Sequence, residues 1–321
     1  MKKNMSILFC TLLLAFIMTG SVSAAQDTVF INFPTASTTG AVYAVGAALA
    51  NIWNDNIEGI QVPAEASNGG VQNLGLMSVG DAHVSVAVTS IITEQKQGIN
   101  SFQGRKYDGV RILSALYYNF NQIVVSSSSG IDSINDIKGK RFAPGSPGGT
   151  TEVETRVHLT AAGMKYPEEI AAQFVGFTEA VDLMRNKQLD GAWIQAGLPT
   201  AAVSEICSTA GGKLVPMDDA LIKKLTSEHS WYNDDIVPAG TYDGQTEDIR
   251  TTSITITLVV DESVPEDLVY NMAKAMWENI DLLRNAHNAL KDATVEGAVK
   301  NLAGLPLHPG AEKYYKEKGV M

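Results

Sequence analysis

The stretch Thr28-Val29-Phe30-Ile31-Asn32-Phe33 predicts a strand, because β-branched and aromatic residues dominate it. The polar loop Pro34-Thr35-Ala36-Ser37-Thr38-Thr39-Gly40 follows, and residues 40–54 then carry apolar side chains at helical spacing. The alternation continues through a strand over 59–62, a helix over 68–79 and a strand over 83–88. Strands that alternate with helices predict βαβ units and a mainly parallel sheet.

The second part of the chain interrupts this alternation and then resumes it. Two strand-like runs, residues 110–117 and 122–125, follow one another with no helix between them. The pattern beyond them predicts a new strand near residue 143, a helix after Thr151, a strand over 173–175, a helix over 178–187, a strand over 191–194, a helix over 198–209, a strand over 252–260 and a helix over 265–286.

This order predicts two α/β lobes that are joined by two extended crossings, near residues 115–122 and 245–255. Lobe I is expected to contain residues 26–120 and 251–321, and lobe II residues 121–250. Because ligands of such folds bind in the crevice between lobes, the cleft is the expected ligand site.

Composition excludes several classes of function. The chain has 321 residues, of which 45% are hydrophobic and 18% charged, as in globular proteins of about two domains. The formal net charge of −11 argues against nucleic acid or an anionic membrane as the main partner. Five histidines without metal-ligand spacing and two cysteines predict no zinc site and no disulfide framework.

The first 25 residues predict a secretory signal peptide. Lys2 and Lys3 precede an apolar run over residues 7–18, and small residues follow it. Cleavage is expected after Ala24 or Ala25. An uncleaved membrane anchor is the alternative, but the run is shorter than the roughly 20 residues that a spanning helix needs. We therefore expect a periplasmic, monomeric protein.

Three polar loops each follow a strand and precede a helix: residues 34–40, 66–73 and 144–152. The first turn of a helix has unpaired N–H groups and the positive end of the helix dipole, which suits a carboxylate or a phosphate. Ordinary capping is the alternative, since Thr151 and Glu154 have the spacing of a capping box. None of the loops has the motif of a nucleotide-binding loop.

Several stretches resemble the TAXI family, the substrate-binding proteins of one branch of the tripartite ATP-independent periplasmic (TRAP) transporters. The matching stretches are residues 39–43, 65–73, 130–131, 136–141, 148–152, 196–199, 236–242 and 307–315. The resemblance implies a two-lobed, type II-like periplasmic binding protein that closes on a small anionic ligand, a glutamate-like or dicarboxylate compound. It further implies that the ligand passes to the membrane subunits of a TRAP transporter.

By this likeness the three loops correspond to the ligand-contacting segments of the family. The predicted ligand contacts are Ser37, Thr38, Thr39, Tyr43, Asn68, Gly69, Gly70, Ser90, Ser146, Pro147, Gly148, Thr150, Thr151, Gln195 and Gly197. Arg156 is a candidate partner of a ligand carboxylate, or else pairs with Glu152 one helical turn earlier. Tyr43 covers the ligand or belongs to the core, and Trp193 is expected in the core.

The function predicted from these features is that of an exported binding protein, with no catalytic residue, metal or cofactor. Two alternatives stay open at this point. One is a sensory receptor that passes its bound state to a membrane kinase. The other is a periplasmic enzyme that acts on a small acid, although the nucleophile motif G-x-S-x-G is absent.

Overall fold

The computed structural model describes residues 28–321. The predicted signal peptide and its cleavage site lie outside the described residues. Within residues 28–321, no helix combines the length and the apolar character that a membrane-spanning segment requires.

The described chain alternates strands and helices, as the pattern predicts. The strands are β1 (Val29–Phe30), β2 (Phe33–Pro34), β3 (Ile60–Gln61), β4 (Ala64–Glu65), β5 (Val84–Val88), β6 (Val110–Ser126), β7 (Arg141–Ala143), β8 (Ala171–Ala172), β9 (Gly191–Ala196), β10 (Gly212–Val215), β11 (Tyr232–Val237) and β12 (Ile249–Asp261). The helices are α1 (Ala41–Asn56), α2 (Gly70–Ser78), α3 (Thr89–Gln97), α4 (Thr150–Ala161), α5 (Phe177–Arg185), α6 (Ala201–Ala210), α7 (Asp219–Glu228), α8 (Glu266–Glu278), α9 (Ile280–Ala286) and α10 (Pro309–Glu317).

Two long strands, β6 and β12, run through both halves of the molecule. The first part of β6 pairs antiparallel with β12, and its last part pairs with β9 on one side and β10 on the other. In the same way, β12 pairs with β11 at its start and with β5 at its end. These two strands are the crossings between the lobes.

We use lobe I for β1–β5, α1–α3 and α8–α10, and lobe II for β7–β11 and α4–α7. The expected boundaries near residues 120 and 250 fall inside β6 and β12, and they stay a prediction. In lobe I, β1 pairs with β3 and β2 with β4, both parallel. The Ser85 hydroxyl on β5 donates to the carbonyl of Pro34 on β2, which joins these strands to β12.

The structure corrects four details of the sequence-based prediction. The runs 110–117 and 122–125 are one continuous strand, because β6 pairs with β12 as far as Phe120 and with β9 from Phe120 onward. The sheet is mixed and not mainly parallel, because β6 leaves lobe I and β12 returns to it in opposite directions. The expected helix over 265–286 is divided between α8 and α9, and the expected strand over 173–175 lies at β8 instead.

The core follows the faces of the sheet. The larger apolar cluster packs α1 and α8 against the strands of lobe I, with Trp53 and Leu258 fully buried. It extends into lobe II, where Trp193 lies in the core as expected. A second cluster packs α5 and α6 against the other face of β9, with Val181 and Ile194 buried. The crossing strands belong to both halves of the core, so they fix where the cleft lies.

Candidate functional site

A cavity of about 290 Å³ lies between the lobes, at the ends of the strands that precede the three polar loops. Its lining residues are Thr35, Ala36, Ser37, Thr38, Gly40, Ala41, Val42, Ala66, Ser67, Asn68, Gly69, Gly70, Val86, Ala87, Val88, Asn119, Ser146, Gly149, Thr150, Thr151, Gly176, Phe177, Gln195, Ala196 and Ile256. The volume is at the lower end of small-molecule sites, which suits a small metabolite.

Four helices begin at this cavity, two from each lobe. The N-cap residues of α1, α2, α4 and α5 are Gly40, Gly69, Gly149 and Gly176, and all four line the cavity. A glycine has no side chain that accepts from the first-turn N–H groups, and none of these helices has a side-chain cap. The free donors and the dipole ends therefore favour negative charge in the cavity.

The capping box that the spacing of Thr151 and Glu154 suggests is absent. Helix α4 has its N-cap at Gly149, so Thr151 lies inside the first turn and is free to line the cavity. The carboxylate of Glu154 accepts from the hydroxyl of Tyr232 at 2.7 Å instead. The alternative of ordinary capping is therefore wrong for this loop.

The two lobes touch each other around the cavity. Thr39 Oγ1 in lobe I and Thr178 Oγ1 in lobe II are 3.4 Å apart. A Cβ atom built on Gly149 would lie 2.9 Å from the carbonyl oxygen of Asn68, across the cleft. The structure thus shows the lobes in a closed arrangement.

The floor of the cavity carries two amide side chains with unpaired atoms. Asn119 on β6 is 4% exposed and Gln195 on β9 is 5% exposed. Neither Oδ1 of Asn119 nor Nε2 of Gln195 has a hydrogen-bond partner in the described structure. Buried polar atoms are normally paired, so these two amide side chains beside the cavity are incompletely hydrogen-bonded.

None of the residues that line the cavity is charged. The polar groups that face it are backbone amides, hydroxyls of serine and threonine, and the amides of Asn68, Asn119 and Gln195. Among residues 28–321, no group of three or more histidine, cysteine or acidic side chains is placed to hold a metal ion. What the cavity offers a ligand is therefore hydrogen bonding and dipoles.

A model of the NMT1-like family matches residues 33–319. The chain belongs to the NMT1-like family. The NMT1-like chain also has structural neighbours, which show its fold. The periplasmic binding protein BugD superimposes with a TM-score of 0.55 at 14% identity, over 92% of this chain and 94% of that chain.

Two further neighbours have a TM-score of 0.50 with this NMT1-like chain. XAC2383 from Xanthomonas citri, solved bound to ATP, is 10% identical over 91% of this chain and 97% of that chain. A protein described as a periplasmic transporter is 15% identical over 93% and 95% of the two chains. Together with the crossing strands, these neighbours confirm the predicted fold, that of two-lobed periplasmic binding proteins.

Nine of the fifteen predicted contacts of this NMT1-like chain come together at the cavity: Ser37, Thr38, Asn68, Gly69, Gly70, Ser146, Thr150, Thr151 and Gln195. The other six, which are Thr39, Tyr43, Ser90, Pro147, Gly148 and Gly197, are outside the lining. Pro147 and Gly148 are exposed at the tip of their loop. Gly197 packs against Tyr117 and Ala289 instead.

Arg156 also lies outside the lining of the cavity. Its guanidinium is 3.9 Å from the carboxylate of Glu152, which is the helical pairing that the sequence offers as the alternative. At the N-terminal end of α3, the Ser90 hydroxyl donates to Glu154 Oε1 at 3.3 Å, so this predicted contact joins the lobes behind the cavity.

Sequence reasoning missed several lining positions outside the three loops, and three of them bear on the site: Asn119, Gly176 and Phe177. Asn119 is hidden inside the long strand β6, where a polar residue between Tyr118 and Phe120 carries no motif. Gly176 and Phe177 begin α5, which the sequence predicts from residue 178. A search for every glycine just before a predicted helix would have found Gly176, because the other three helix starts share this feature.

Behind the cavity, the lobes enclose a buried carboxyl group. Burial, together with the charge of Glu94, raises the pKa of Glu154 to about 7, although the hydroxyl of Tyr232 partly opposes the increase. Burial also raises the pKa of Glu94 and lowers that of His158 to about 4. Glu94 is on α3 in lobe I and Glu154 on α4 in lobe II, so these groups belong to the contact between the lobes.

Proposed function

We propose that the protein is an exported solute-binding protein that captures a small organic acid, glutamate-like or dicarboxylate, between its lobes. We further propose that it delivers this ligand to the membrane subunits of a TRAP transporter. The observation that carries the proposal is the convergence of four uncapped helix N-termini, two from each lobe, on one uncharged cavity. The resemblance to the TAXI family supports the transporter partner.

Binding by hinge closure follows from this arrangement. A ligand that touches helix starts of both lobes is bound fully only when the lobes are together, so it shifts the population toward the closed state. The hinge lies in β6 and β12, the strands that connect the lobes. The lobes would comprise residues 26–120 with 251–321, and residues 121–250.

Titration calorimetry with the mature chain tests the binding site. We expect that Thr151→Ala, in lobe II, and Asn68→Ala, in lobe I, each weaken binding of the acid about tenfold, because each removes a hydrogen-bonding side chain. Thr160→Ala is a matched control, since Thr160 is exposed on the same helix as Thr151. Unchanged affinity in both cavity variants would place the binding site elsewhere.

Three further measurements test the rest of the proposal. Mass spectrometry of each acid after incubation with the protein should show no turnover, and a product would indicate an enzyme. Sequencing of the secreted protein should give an N-terminus at residue 25 or 26. Deletion of the gene should abolish uptake of the acid, whereas intact uptake with lost acid-dependent gene expression would indicate a sensory receptor.

A further inference from the structure

The charges around the cavity restrict the kind of acid that it can hold. A carboxylate can be bound by helix N-termini, which supply donors and partial positive charge without a cationic side chain. An ammonium group has the opposite requirement, because burial without a carboxylate partner leaves its charge uncompensated. No residue that lines the cavity supplies such a carboxylate.

The two amide side chains with unpaired atoms indicate which neutral substituent the ligand carries in place of an ammonium group. The β6–β9 register sets Asn121 opposite Gln195, so Asn119 and Gln195 are diagonal neighbours on one face of the sheet. Asn119 has an unpaired acceptor, Oδ1, and Gln195 an unpaired donor, Nε2. A hydroxyl group satisfies both, because it donates one hydrogen bond and accepts others. A keto oxygen satisfies only the donor.

We infer that the cavity selects hydroxy acids over amino acids of the same carbon skeleton, with Asn119 and Gln195 as the residues that determine this specificity. The inference rests on the proposed function, because it concerns the same site. The charged ends of the acid lie at the helix starts, and the substituent next to one carboxylate lies at the two amides. The expected order of affinity is hydroxy acid, then keto acid, then amino acid.

Titration calorimetry with two matched series tests the order. The C5 series is 2-hydroxyglutarate, 2-oxoglutarate and glutamate, and the C4 series is malate, oxaloacetate and aspartate. In the series that binds, we expect the hydroxy acid to bind at least tenfold more tightly than the amino acid. Equal or tighter binding of the amino acid would overturn the inference and leave the proposed function intact. If no acid in either series binds, the proposed function itself fails.

A charge substitution tests the role of the amides. Asn119→Asp is nearly isosteric and adds the carboxylate that an ammonium needs, so the ratio of amino-acid to hydroxy-acid affinity should rise at least tenfold. Asn135→Asp makes the same chemical change at an exposed residue outside the cavity and should leave the ratio unchanged. Gln195→Glu gives a second measurement if Asn119→Asp does not fold. An unchanged ratio in the folded variant would overturn the assignment.

Discussion

Replacement of Glu154 by glutamine should reveal the cost of the buried carboxyl group between the lobes. The side chain is 1% exposed and accepts hydrogen bonds from Tyr232 and Ser90, while His158 and Glu94 lie nearby. Burial, first, and then the charge of Glu94 raise its pKa from 4.5 to about 7. Glutamine keeps the shape and an acceptor oxygen but has no proton to lose.

The direction of the pH effect follows from the two pKa values. Between pH 4.5 and about 7, Glu154 is ionised in the unfolded chain but still protonated in the folded protein. The unfolded state then binds fewer protons, so the stability of the native protein falls as the pH rises through this range. The difference between the pKa values of 4.5 and about 7 corresponds to a loss of about 3 kcal/mol in the stability of the native protein. The loss is complete above about pH 7.

Urea unfolding at pH 4 and at pH 8 measures this loss. At each pH, the free energy of unfolding of the natural protein is subtracted from that of the Glu154→Gln variant. This difference should be about 3 kcal/mol more favourable to the variant at pH 8 than at pH 4. His158, whose pKa is lowered by burial, is present in both proteins and so largely cancels in the comparison. Glu58→Gln, at an exposed position after α1, is the control and should change the free energy of unfolding by less than about 0.5 kcal/mol at either pH. If the Glu154→Gln difference is the same at pH 4 and pH 8, the pKa of Glu154 is not raised in the folded protein and the reasoning is wrong.

Two further predictions concern the cleft and the thiol of Cys207. Gly149→Ala should weaken ligand binding at least tenfold by calorimetry, because its Cβ would lie 2.9 Å from the Asn68 carbonyl in the other lobe, whereas Gly75→Ala, where a Cβ meets nothing within 4 Å, should not. Wild-type affinity in Gly149→Ala would show that binding does not need this closed contact. Burial and the charge of Asp243 raise the pKa of Cys207 to about 11, so its reaction with a thiol reagent at pH 8 should be much slower in the folded protein than in urea. Equal rates would contradict the raised pKa of Cys207.

The local pattern of the sequence was sufficient to predict the lobes and the position of the cleft. The loop–helix boundaries near residues 40, 69 and 149 are visible because glycine and hydroxyl residues separate apolar runs of different period. Each boundary lies at the cavity in the folded chain. Local pattern works here because strand ends and helix starts are set by neighbouring residues.

Long-range pairing limited what the sequence could predict. The continuity of β6 depends on pairing with β9 and β12, which are distant in the chain. The polar residues around Asn119 therefore predict two separate strands when only the local sequence is considered. Ser90 follows a strand as the three polar loops do, but its partner is Glu154 in the other lobe. Nothing near Ser90 in the sequence distinguishes a contact between lobes from a contact with ligand.

The two crossing strands also constrain the order in which the chain can fold. The hydroxyl of Thr257 on β12 donates to the carbonyl of Ala87 on β5, which is 170 positions away, and β12 also supplies the neighbour of β6. When the chain is made from its amino terminus, lobe I therefore lacks its central strand β12 until residue 261 of 321 is available. Such distant contacts slow folding because loop closure must come before the contacts that stabilise it. Lobe II makes most of its strand pairings within one contiguous segment of the chain, so it is the part that can fold first.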